Sequence, residues 1–276
     1  MKLIADSGST KTDWALVSDE GSVSVFHTQG INPVHQDAVA IRRILTDELE
    51  PQLQQAPIDE VFFYGSGVRP AEEAGVCMLL RESFGAALVE AHSDLLGAAR
   101  ALCGHGEGLA CILGTGANSC LYDGLDIVSN TPPLGYILGD EGSGAVLGVT
   151  LVNALYKGLL PDSLRSDFEQ EYALTLDQII MRVYRQPLPN RFLASLSPFV
   201  SAHLDQQQVC QLVVDHFRRF LQRNVATYHR PDLPLSAVGS IAYFFCEQLG
   251  QAAALEGYTI GRVERSPLRL LVDYHT

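Results

Sequence analysis

The sequence has few positive charges. Nineteen Lys and Arg residues stand against 32 Asp and Glu, which gives a formal net charge of -13 over 276 residues. A field of this sign repels nucleic-acid phosphates and anionic lipid headgroups. We therefore expect neither nucleic acid nor a membrane surface as a partner. A nucleotide could bind only where backbone amides, a few local side chains and a cation overcome this field at short range.

Two further absences narrow the class of protein. No run of about 20 apolar residues is present, so no membrane-spanning helix is expected. The cysteines form no CxxC pair and have no accompanying His at zinc-finger spacing, and Met1 leads directly into a strand-like segment. We therefore expect a cytoplasmic protein whose thiols are small buried hydrophobic groups. The six cysteines are Cys77, Cys103, Cys111, Cys120, Cys210 and Cys246.

The chain is long enough for two hydrophobic cores, because one core usually serves about 100–150 residues. Its pattern predicts the order βββαβα and a further strand, after which residues 109–124 repeat strand, Gly-rich turn, strand and turn. Aligning Gly8 with Gly116 also aligns Ile4 with Ile112, which indicates a duplication. We predict an α/β protein with lobes at 1–103 and 104–276 and a helical insertion at about 150–230. A last helix at 267–274 is expected to complete the second lobe.

The opening turn reads DSGSTKTD, with Asp6 at the end of the first strand. Small residues let backbone N–H groups approach phosphate oxygens, hydroxyl groups add donors, and a carboxylate can hold magnesium through water. The turn therefore suits a nucleoside triphosphate, although an ordinary polar hairpin would look similar. A Walker A loop is rejected because GxxxxGK is absent and a strand follows.

Three other segments carry candidate chemistry. Gly114, Thr115 and Gly116 form a second Gly-rich turn without a carboxylate, and the two turns together could bind a triphosphate. The segment LGDEGSG contains two adjacent acids that could bind sugar hydroxyls or metal-bound water, or could simply favour a helix start. Asp94 follows a strand and opens a helix, where an N-cap is the simpler interpretation.

Taken together, the motifs DSGSTKTDW, GINP, HSDLLGAARA, CILGTGANS, LGYILGDEGSGAVLG and VGSIAYFF closely resemble the BadF/BadG/BcrA/BcrD ATPase family, and within it the N-acetylglucosamine kinase branch. The resemblance covers essentially the whole chain in the right order. It implies a two-lobed actin-like ATPase fold, with duplicated ribonuclease H-like βββαβαβα domains and with ATP and sugar in the cleft between the lobes. ATP and Mg²⁺ are thus the implied cofactors, and a small-molecule sugar is the implied partner.

The resemblance also implies roles for individual residues. Asp6 matches the magnesium-associated acid, and Asp94 falls at the place of the catalytic acid, which would accept the proton of the sugar hydroxyl. The phosphate loops would be Ser9, Thr10 and Lys11, then Gly114, Thr115 and Gly116, with Gly239 and Ser240 as the adenosine-contact turn. The sugar-binding set would be Asn32, Asp94, Gly135 and Asp140.

Two positions depart from the family pattern. Ser7 stands where many members have Gly, and Gly135-Tyr136 occupies a segment where the animal enzymes carry a sugar-lining Trp-Gly. We therefore expect an amino-sugar kinase, most simply acting on the 6-hydroxyl of N-acetylglucosamine, with N-acetylmuramic acid, glucosamine or another hexose as alternatives.

Two other classes of function stay open at this point. One is an ATP-driven activator of a dehydratase or reductase, which would carry an iron–sulfur cluster bridging two subunits through cysteines. The other is a non-enzymatic actin-like scaffold or ATP sensor, because a fold does not settle function. A homodimer is the expected oligomeric state of a soluble enzyme of this kind.

Overall fold

The computed structural model describes residues 1–8, 10–54 and 56–276. The chain divides into two compact units. Unit 1 comprises Met1–Gly106, Asp123–Ile127 and Ser266–Thr276, and unit 2 comprises Glu107–Tyr122 and Val128–Arg265. Among the described residues, none of the helices combines the length and the apolar character needed to cross a bilayer.

Unit 1 contains a five-stranded sheet in the order β3-β2-β1-β4-β5. The antiparallel neighbours are β1 with β2 and β2 with β3, whereas β1 with β4 and β4 with β5 are parallel. One face packs in a hydrophobic core that includes Trp14, Phe63 and Leu79. The strands are β1 (Lys2–Ser7), β2 (Lys11–Val17), β3 (Val23–Gln29), β4 (Glu60–Gly65) and β5 (Leu88–Ser93).

The helices of unit 1 follow the predicted pattern. The first predicted helix is α1 (Ala38–Arg43), which continues through a π-helical turn (Ile44–Leu49) into α2 (Glu50–Leu53). Next come α3 (Pro70–Phe84) and α4 (Asp94–Cys103). Pro70 starts α3 at a position where a missing N–H costs nothing, and Gly85 ends it in the left-handed conformation with φ of 65°.

Unit 2 repeats this sheet. Its strand order is β10-β9-β6-β7-β8, which is the order of unit 1 read from the opposite edge. As in unit 1, the first two strands are antiparallel and the later ones join in parallel. The predicted duplication is therefore confirmed. The strands are β6 (Gly108–Leu113), β7 (Ala117–Tyr122), β8 (Ile127–Asn130), β9 (Leu235–Val238) and β10 (Ile260–Glu264).

The proposed alignment of the two halves is wrong by two residues. Strands β1 and β6 each contain six residues, and three residues separate each strand from the next. Ser7 therefore corresponds to Leu113, and Gly8 corresponds to Gly114 and not to Gly116. Because the second turn contains two glycines, the sequence alone allows Gly8 to be aligned with either Gly114 or Gly116.

Most helices of unit 2 lie between β8 and β9. Their large shared core includes Phe168, Phe199, Phe217 and Phe220. The helices before β9 are α5 (Gly135–Leu138), α6 (Gly144–Tyr156), α7 (Asp162–Tyr172), α8 (Leu176–Tyr184), α9 (Pro189–Ala194), α10 (Ser197–Ala202) and α11 (Gln207–Phe220), then a π-helical turn (Leu221–Val225) and a 3-10 turn (Ala226–Tyr228). After β9 come α12 (Ser240–Phe244) and α13 (Cys246–Leu255).

The last helix, α14 (Leu268–His275), lies in unit 1, which corrects the expectation that it completes the second lobe. It packs against α4, β1 and β2. Two contacts at its end explain this placement: the Lys2 ammonium donates to the carbonyl oxygen of His275 at 2.6 Å, and the rings of Phe62 and His275 stack with centroids 3.8 Å apart. A local sequence pattern cannot show such pairings, because they join the two ends of the chain.

Candidate active site

Two carboxylates face each other on the first hairpin of unit 1. Asp6 on β1 lies directly opposite Asp13 on β2, so both side chains are on one face of the sheet. Asp13 already has two partners: the Lys11 ammonium Nζ lies 2.8 Å from its Oδ2, and the His27 ring atom Nδ1 lies 2.7 Å from its Oδ1. Among the described residues, Asp6 has no such ion pair. Asp6 is therefore the carboxylate that is available to a further ligand.

The surroundings of Asp6 disfavour its charge. Burial raises its pKa to about 7, and the negative charges of Asp94 and Asp13 act in the same direction, while Lys11 opposes them. Asp6 thus lies near two other carboxylates, and the ammonium group of Lys11 is paired with Asp13. These surroundings favour the binding of a cation at Asp6.

Asp94 is the first residue of α4. The preceding Ser93 caps the helix, its hydroxyl accepting the Leu96 N–H at 3.2 Å, so Asp94 is not needed as the cap. Burial raises the pKa of Asp94 to about 6, although the N–H groups of Leu95 and Asp94 itself lower it. The carboxylate is thus largely ionised at neutral pH and still basic enough to accept a proton.

The first Gly-rich turn is closed by backbone hydrogen bonds. The Gly8 N–H donates to the carbonyl of Lys11 at 3.0 Å, and the Gly30 N–H donates to the carbonyl of Thr10 at 3.1 Å. Ser9, the first predicted phosphate-loop hydroxyl, lies outside the described residues. Lys11 opens β2 and its ammonium group contacts Asp13.

Ser7 connects this hairpin to the segment that carries Asn32. Its hydroxyl is fully buried, accepts the Ile31 N–H at 3.0 Å and lies 2.7 Å from the hydroxyl of Thr12. Asn32 in turn lies against the turn after β4, where a Cβ on Gly67 would be 2.2 Å from Asn32 Oδ1. The structure therefore places the predicted sugar-binding amide next to the ends of β1 and β4.

In unit 2 the turn from Gly114 to Gly116 is fixed to the start of α6. The Gly144 N–H donates to the carbonyl of Gly114 at 2.8 Å, and the Ala145 N–H donates to the carbonyl of Thr115 at 3.2 Å. Within the turn, the Gly114 N–H donates to the carbonyl of Gly116 at 3.0 Å. These bonds hold the turn rigidly at the positive end of a 13-residue helix.

Asp140 lies against the same turn. A Cβ on Gly116 would be 3.2 Å from Asp140 Oδ2, and Asp140 Oδ1 accepts the Gly135 N–H at 3.1 Å. The backbone of Asp140 has a φ of 53°, a conformation that residues other than glycine rarely adopt. Burial raises the pKa of its carboxyl group. The predicted residues Gly135, Gly116 and Asp140 are thus close neighbours.

The turn between β9 and α12 also touches this region. Gly239 has a φ of 118°, and a Cβ there would lie 2.2 Å from the carbonyl oxygen of Leu113, at the end of β6. Ser240 begins α12. Glycine at 239 is therefore required both by the backbone conformation and by the close approach of the two segments.

A cavity of about 310 Å³ adjoins the LGDEGSG motif, at the lower end of the range for small-molecule sites. Its lining includes Tyr136, Leu138, Glu141, His216 and Arg223. Arg223 and Glu141 form an ion pair at 2.7 Å.

Sequence reasoning missed Asp13 and this Glu141–Arg223 pair. Asp13 could have been found from the hairpin, because a turn centred near residues 9 and 10 pairs position 6 with position 13. The ion pair joins segments 82 positions apart, and no local signal indicates it.

Neither a protein-family model nor any of the curated proteins matches this chain. A solved structure from Porphyromonas gingivalis, of a protein provisionally named an N-acetylglucosamine kinase, is 49% identical, with a TM-score of 0.96 over 100% of this chain and 98% of that chain. The chain belongs to this family of sugar kinases. Its fold is that of the actin-like ATPases, as expected.

Two more distant structures agree with this family on the fold alone. A provisionally named N-acetylglucosamine kinase from Chromobacterium violaceum is 18% identical, with a TM-score of 0.76 over 100% of this chain and 98% of that one. A ROK family glucokinase from Streptomyces griseus, in complex with glucose and AMPPNP, is 14% identical, with a TM-score of 0.60 over 99% and 98%.

Proposed function

We propose that this sugar kinase transfers the γ-phosphoryl group of ATP to an amino sugar, and that the 6-hydroxyl of N-acetylglucosamine is the acceptor. The observation that carries the proposal is Asp94: a partly buried carboxylate at the start of α4, with its pKa raised to about 6, close enough to Asp6 to influence its charge. The name of the 49% identical relative supports the choice of sugar. The shared motifs support the N-acetylglucosamine kinase branch of the BadF/BadG/BcrA/BcrD family.

The proposed reaction is an in-line displacement. The sugar hydroxyl oxygen forms a bond to the γ-phosphorus, the bond from that phosphorus to the bridging oxygen of ADP breaks, and the hydroxyl proton passes to Asp94. Because the transition state is loose, the enzyme mainly orients the acceptor and stabilises charge, and Asp94 takes the proton late. Asn32, Gly135 and Asp140 are assigned to sugar binding.

The remaining predicted residues are assigned to the nucleotide. Thr10 and Lys11, with Ser9, form one phosphate-binding turn, Gly114 to Gly116 form another, and Gly239 and Ser240 contact adenosine. The glucokinase that binds AMPPNP supports ATP as the donor through its shared fold.

Mg²⁺ fits the donor set around Asp6. Its carboxylate has no ion pair among the described residues, while Lys11 is engaged by Asp13. The described residues contain no cluster of three His, Cys, Asp or Glu side chains able to hold a metal, so water and phosphate oxygens would have to supply most ligands, as Mg²⁺ prefers. When bound, Mg²⁺ would neutralise charge on the phosphates.

We also propose a cytoplasmic homodimer. A kinase must work where ATP and Mg²⁺ are supplied, and a two-fold dimer is the commonest assembly of soluble enzymes. Light scattering of the purified protein would measure the mass; a monomer at every concentration would contradict the dimer.

The substrate is tested by following ADP release with Mg-ATP and a panel of N-acetylglucosamine, N-acetylmuramic acid, N-acetylmannosamine, glucosamine and glucose. We expect the highest kcat/KM with N-acetylglucosamine. A higher kcat/KM with another sugar would change the proposed substrate, and the assignment as a sugar kinase would remain. No turnover with any sugar, in a protein that binds iron and is coloured under anaerobic conditions, would favour the electron-activator alternative.

The role of Asp94 is tested by Asp94→Asn, which keeps the shape of the side chain and removes the base. We expect kcat to fall by about 10²–10⁴-fold with little change in ATP binding. Asp37→Asn is the matched control, since Asp37 caps α1 in the same unit through the Ala40 N–H at 2.8 Å and Asn caps equally well. Near-full activity of Asp94→Asn would remove Asp94 from the mechanism.

A further inference from the structure

A second polar cluster lies on the same sheet of unit 1 and takes no part in the mechanism above. It joins Tyr64 on β4, Arg100 on α4 and His275 at the end of α14. Arg100 Nη1 donates to the Tyr64 hydroxyl at 2.9 Å, and that hydroxyl lies 2.8 Å from His275 Nε2. Tyr64 is 1% exposed, and Arg100 and His275 are partly buried.

The chemistry of the cluster assigns one hydrogen-bond direction and is compatible with the other. A guanidinium group can only donate, so the Tyr64 oxygen accepts from Arg100. Burial and the charge of Arg100 lower the pKa of His275 to about 4, so its imidazole is neutral at neutral pH, and in the tautomer with Nε2 unprotonated it accepts the Tyr64 proton. The Nε atom of Arg100 is buried and has no hydrogen-bond partner in the described structure, and its Nη1 lies 3.8 Å from Glu90 Oε2. The 2.9 Å hydrogen bond to Tyr64 is therefore the shorter of the two contacts that hold the guanidinium group.

The cluster connects the strand beside Asp6 to the helix that begins with Asp94. Tyr64 is the direct neighbour of Asp6 across β1 and β4. Arg100 is on the helix that begins with Asp94, six residues and hence about 9 Å along the axis. Gly97, between them on α4, approaches the ring so closely that a Cβ would lie 2.7 Å from Tyr64 Cγ. Tyr64 thus meets both the helix of Asp94 and the strand of Asp6.

We propose that Tyr64, held by Arg100 and His275, is a positioning residue that sets the place of Asp94 relative to Asp6. It touches neither carboxylate and acts through α4: the ring fixes how near the helix lies to the sheet, and the hydroxyl fixes how far the helix slides along it. This proposal rests on the proposed role of Asp94.

The first test is Tyr64→Phe, which keeps the ring and removes the hydroxyl. We expect kcat to fall by about tenfold while the KM for ATP changes less than about twofold, because a small misplacement of the base slows the chemical step. The matched control is Tyr228→Phe in unit 2, where a buried hydroxyl bonded to Ser119 at 2.8 Å is lost away from α4. The control should retain wild-type kcat.

A double-mutant cycle separates positioning from loss of stability. If Tyr64 acts through Asp94, adding Tyr64→Phe to Asp94→Asn should lower kcat no further. A full tenfold loss in that background would overturn the proposal. His275→Gln, whose amide oxygen can accept the tyrosine proton, should be more active than His275→Leu; equal activities would also count against it.

Hydrogen exchange of the ligand-free protein gives a readout that does not need activity. Amides of α4 should exchange several-fold faster in Tyr64→Phe than in wild type or Tyr228→Phe. If the wild type phosphorylates no sugar but the α4 amides exchange faster in Tyr64→Phe, the proposed function fails, whereas the anchoring of α4 by Tyr64 is supported. If the wild type is an active kinase and the α4 amides of Tyr64→Phe exchange at the wild-type rate, the positioning role of Tyr64 is refuted and the proposed function is not.

Discussion

The two sheets have the same strand order and carry different chemistry. In unit 1 the end of the first hairpin holds the facing acids Asp6 and Asp13, whereas the corresponding pair in unit 2 is Ile112 and Asn118. The second turn is instead bonded to the start of α6 and lies against Asp140. The comparison teaches that the duplicated sheets keep the same strand order, although two facing carboxylates occur on the first hairpin of only one copy.

The sharpest way to break this comparison is to remove the acid that distinguishes the copies. Asp6→Asn should lower kcat/KM for Mg-ATP by about 10–100-fold, the usual cost of losing a group that holds a metal through water, and should raise the Mg²⁺ concentration needed for half-maximal rate. Ile112→Val at the corresponding site is the control. If both variants retained wild-type Mg²⁺ dependence, the charge asymmetry would have no catalytic meaning.

A second prediction concerns the close contact in unit 2. Gly239→Ala should lower the free energy of unfolding by about 2–4 kcal/mol, because the new Cβ meets the Leu113 carbonyl and the backbone is strained. Gly250→Ala, in α13 with open space around it, should instead stabilise by about 0.5–1 kcal/mol. Urea unfolding measures both, and equal effects would show that the contact is relaxed in solution.

A third prediction concerns the raised pKa of Asp94 in unit 1 and the pH dependence of stability that follows from it. Because burial raises the pKa of Asp94 from 3.8 to about 6, the native state binds the proton more tightly than the unfolded state. Stability is therefore expected to fall as pH rises from about 4 to about 6. Asp94→Asn should be more stable than wild type at pH 7.5 without Mg²⁺, on the order of 1–3 kcal/mol, and the gain should vanish near pH 4.

The control for this pH series is Asp123→Asn. Backbone N–H groups of Asp126 and Leu125 lower the pKa of Asp123, so its replacement should destabilise at neutral pH, the opposite sign. Thermal unfolding of both variants across pH 4 to 8 makes the comparison. A pH-independent difference for Asp94→Asn would contradict the raised pKa.

The smallest expected effect concerns Ser7. Ser7→Ala leaves the buried Ile31 N–H without its acceptor and loosens the segment of Asn32. We expect the KM for sugar to rise about 3–10-fold, with a smaller change in kcat. Ser24→Ala on the exposed part of β3 is the control. An unchanged KM would mean that Asn32 is held by other contacts.

Periodicity was sufficient for the order of the strands and helices in unit 1 and for the repeated strand, turn and strand of unit 2, because these elements have a clear buried face. Between residues 150 and 230 it indicated a helical segment without separating α7, α8, α9 and α10. The position of α14 was wrong, since its amphipathic pattern shows that one face is buried but not against which partner. The alignment of the repeats was wrong because residue type alone does not distinguish Gly114 from Gly116 as the partner of Gly8.

The candidate site was predicted residue by residue from motifs, and the structure brings several of these residues together within each unit. Gly116, Gly135 and Asp140 are neighbours in unit 2. What motifs could not supply is the second layer: the Ser7 hydroxyl, the pairing of Asp13 with Lys11, and the Tyr64 cluster. The Ser7 bond and the Tyr64 cluster depend on contacts between distant segments, which a single sequence does not display. The place of Asp13 depends only on the register of the first hairpin.

The return of α14 to unit 1 also bears on how the chain folds. Lys2 and His275 are in contact across 273 positions, so the sheet that carries Asp6 receives its last supporting helix only after unit 2 has been synthesised. Ribosomal synthesis runs at about 5–20 residues per second, so unit 1 waits on the order of ten seconds or more with part of its apolar surface uncovered. Contacts of such sequence separation also slow folding. We therefore expect the nascent first half to expose apolar surface, and with it a tendency to aggregate, until α14 has been made.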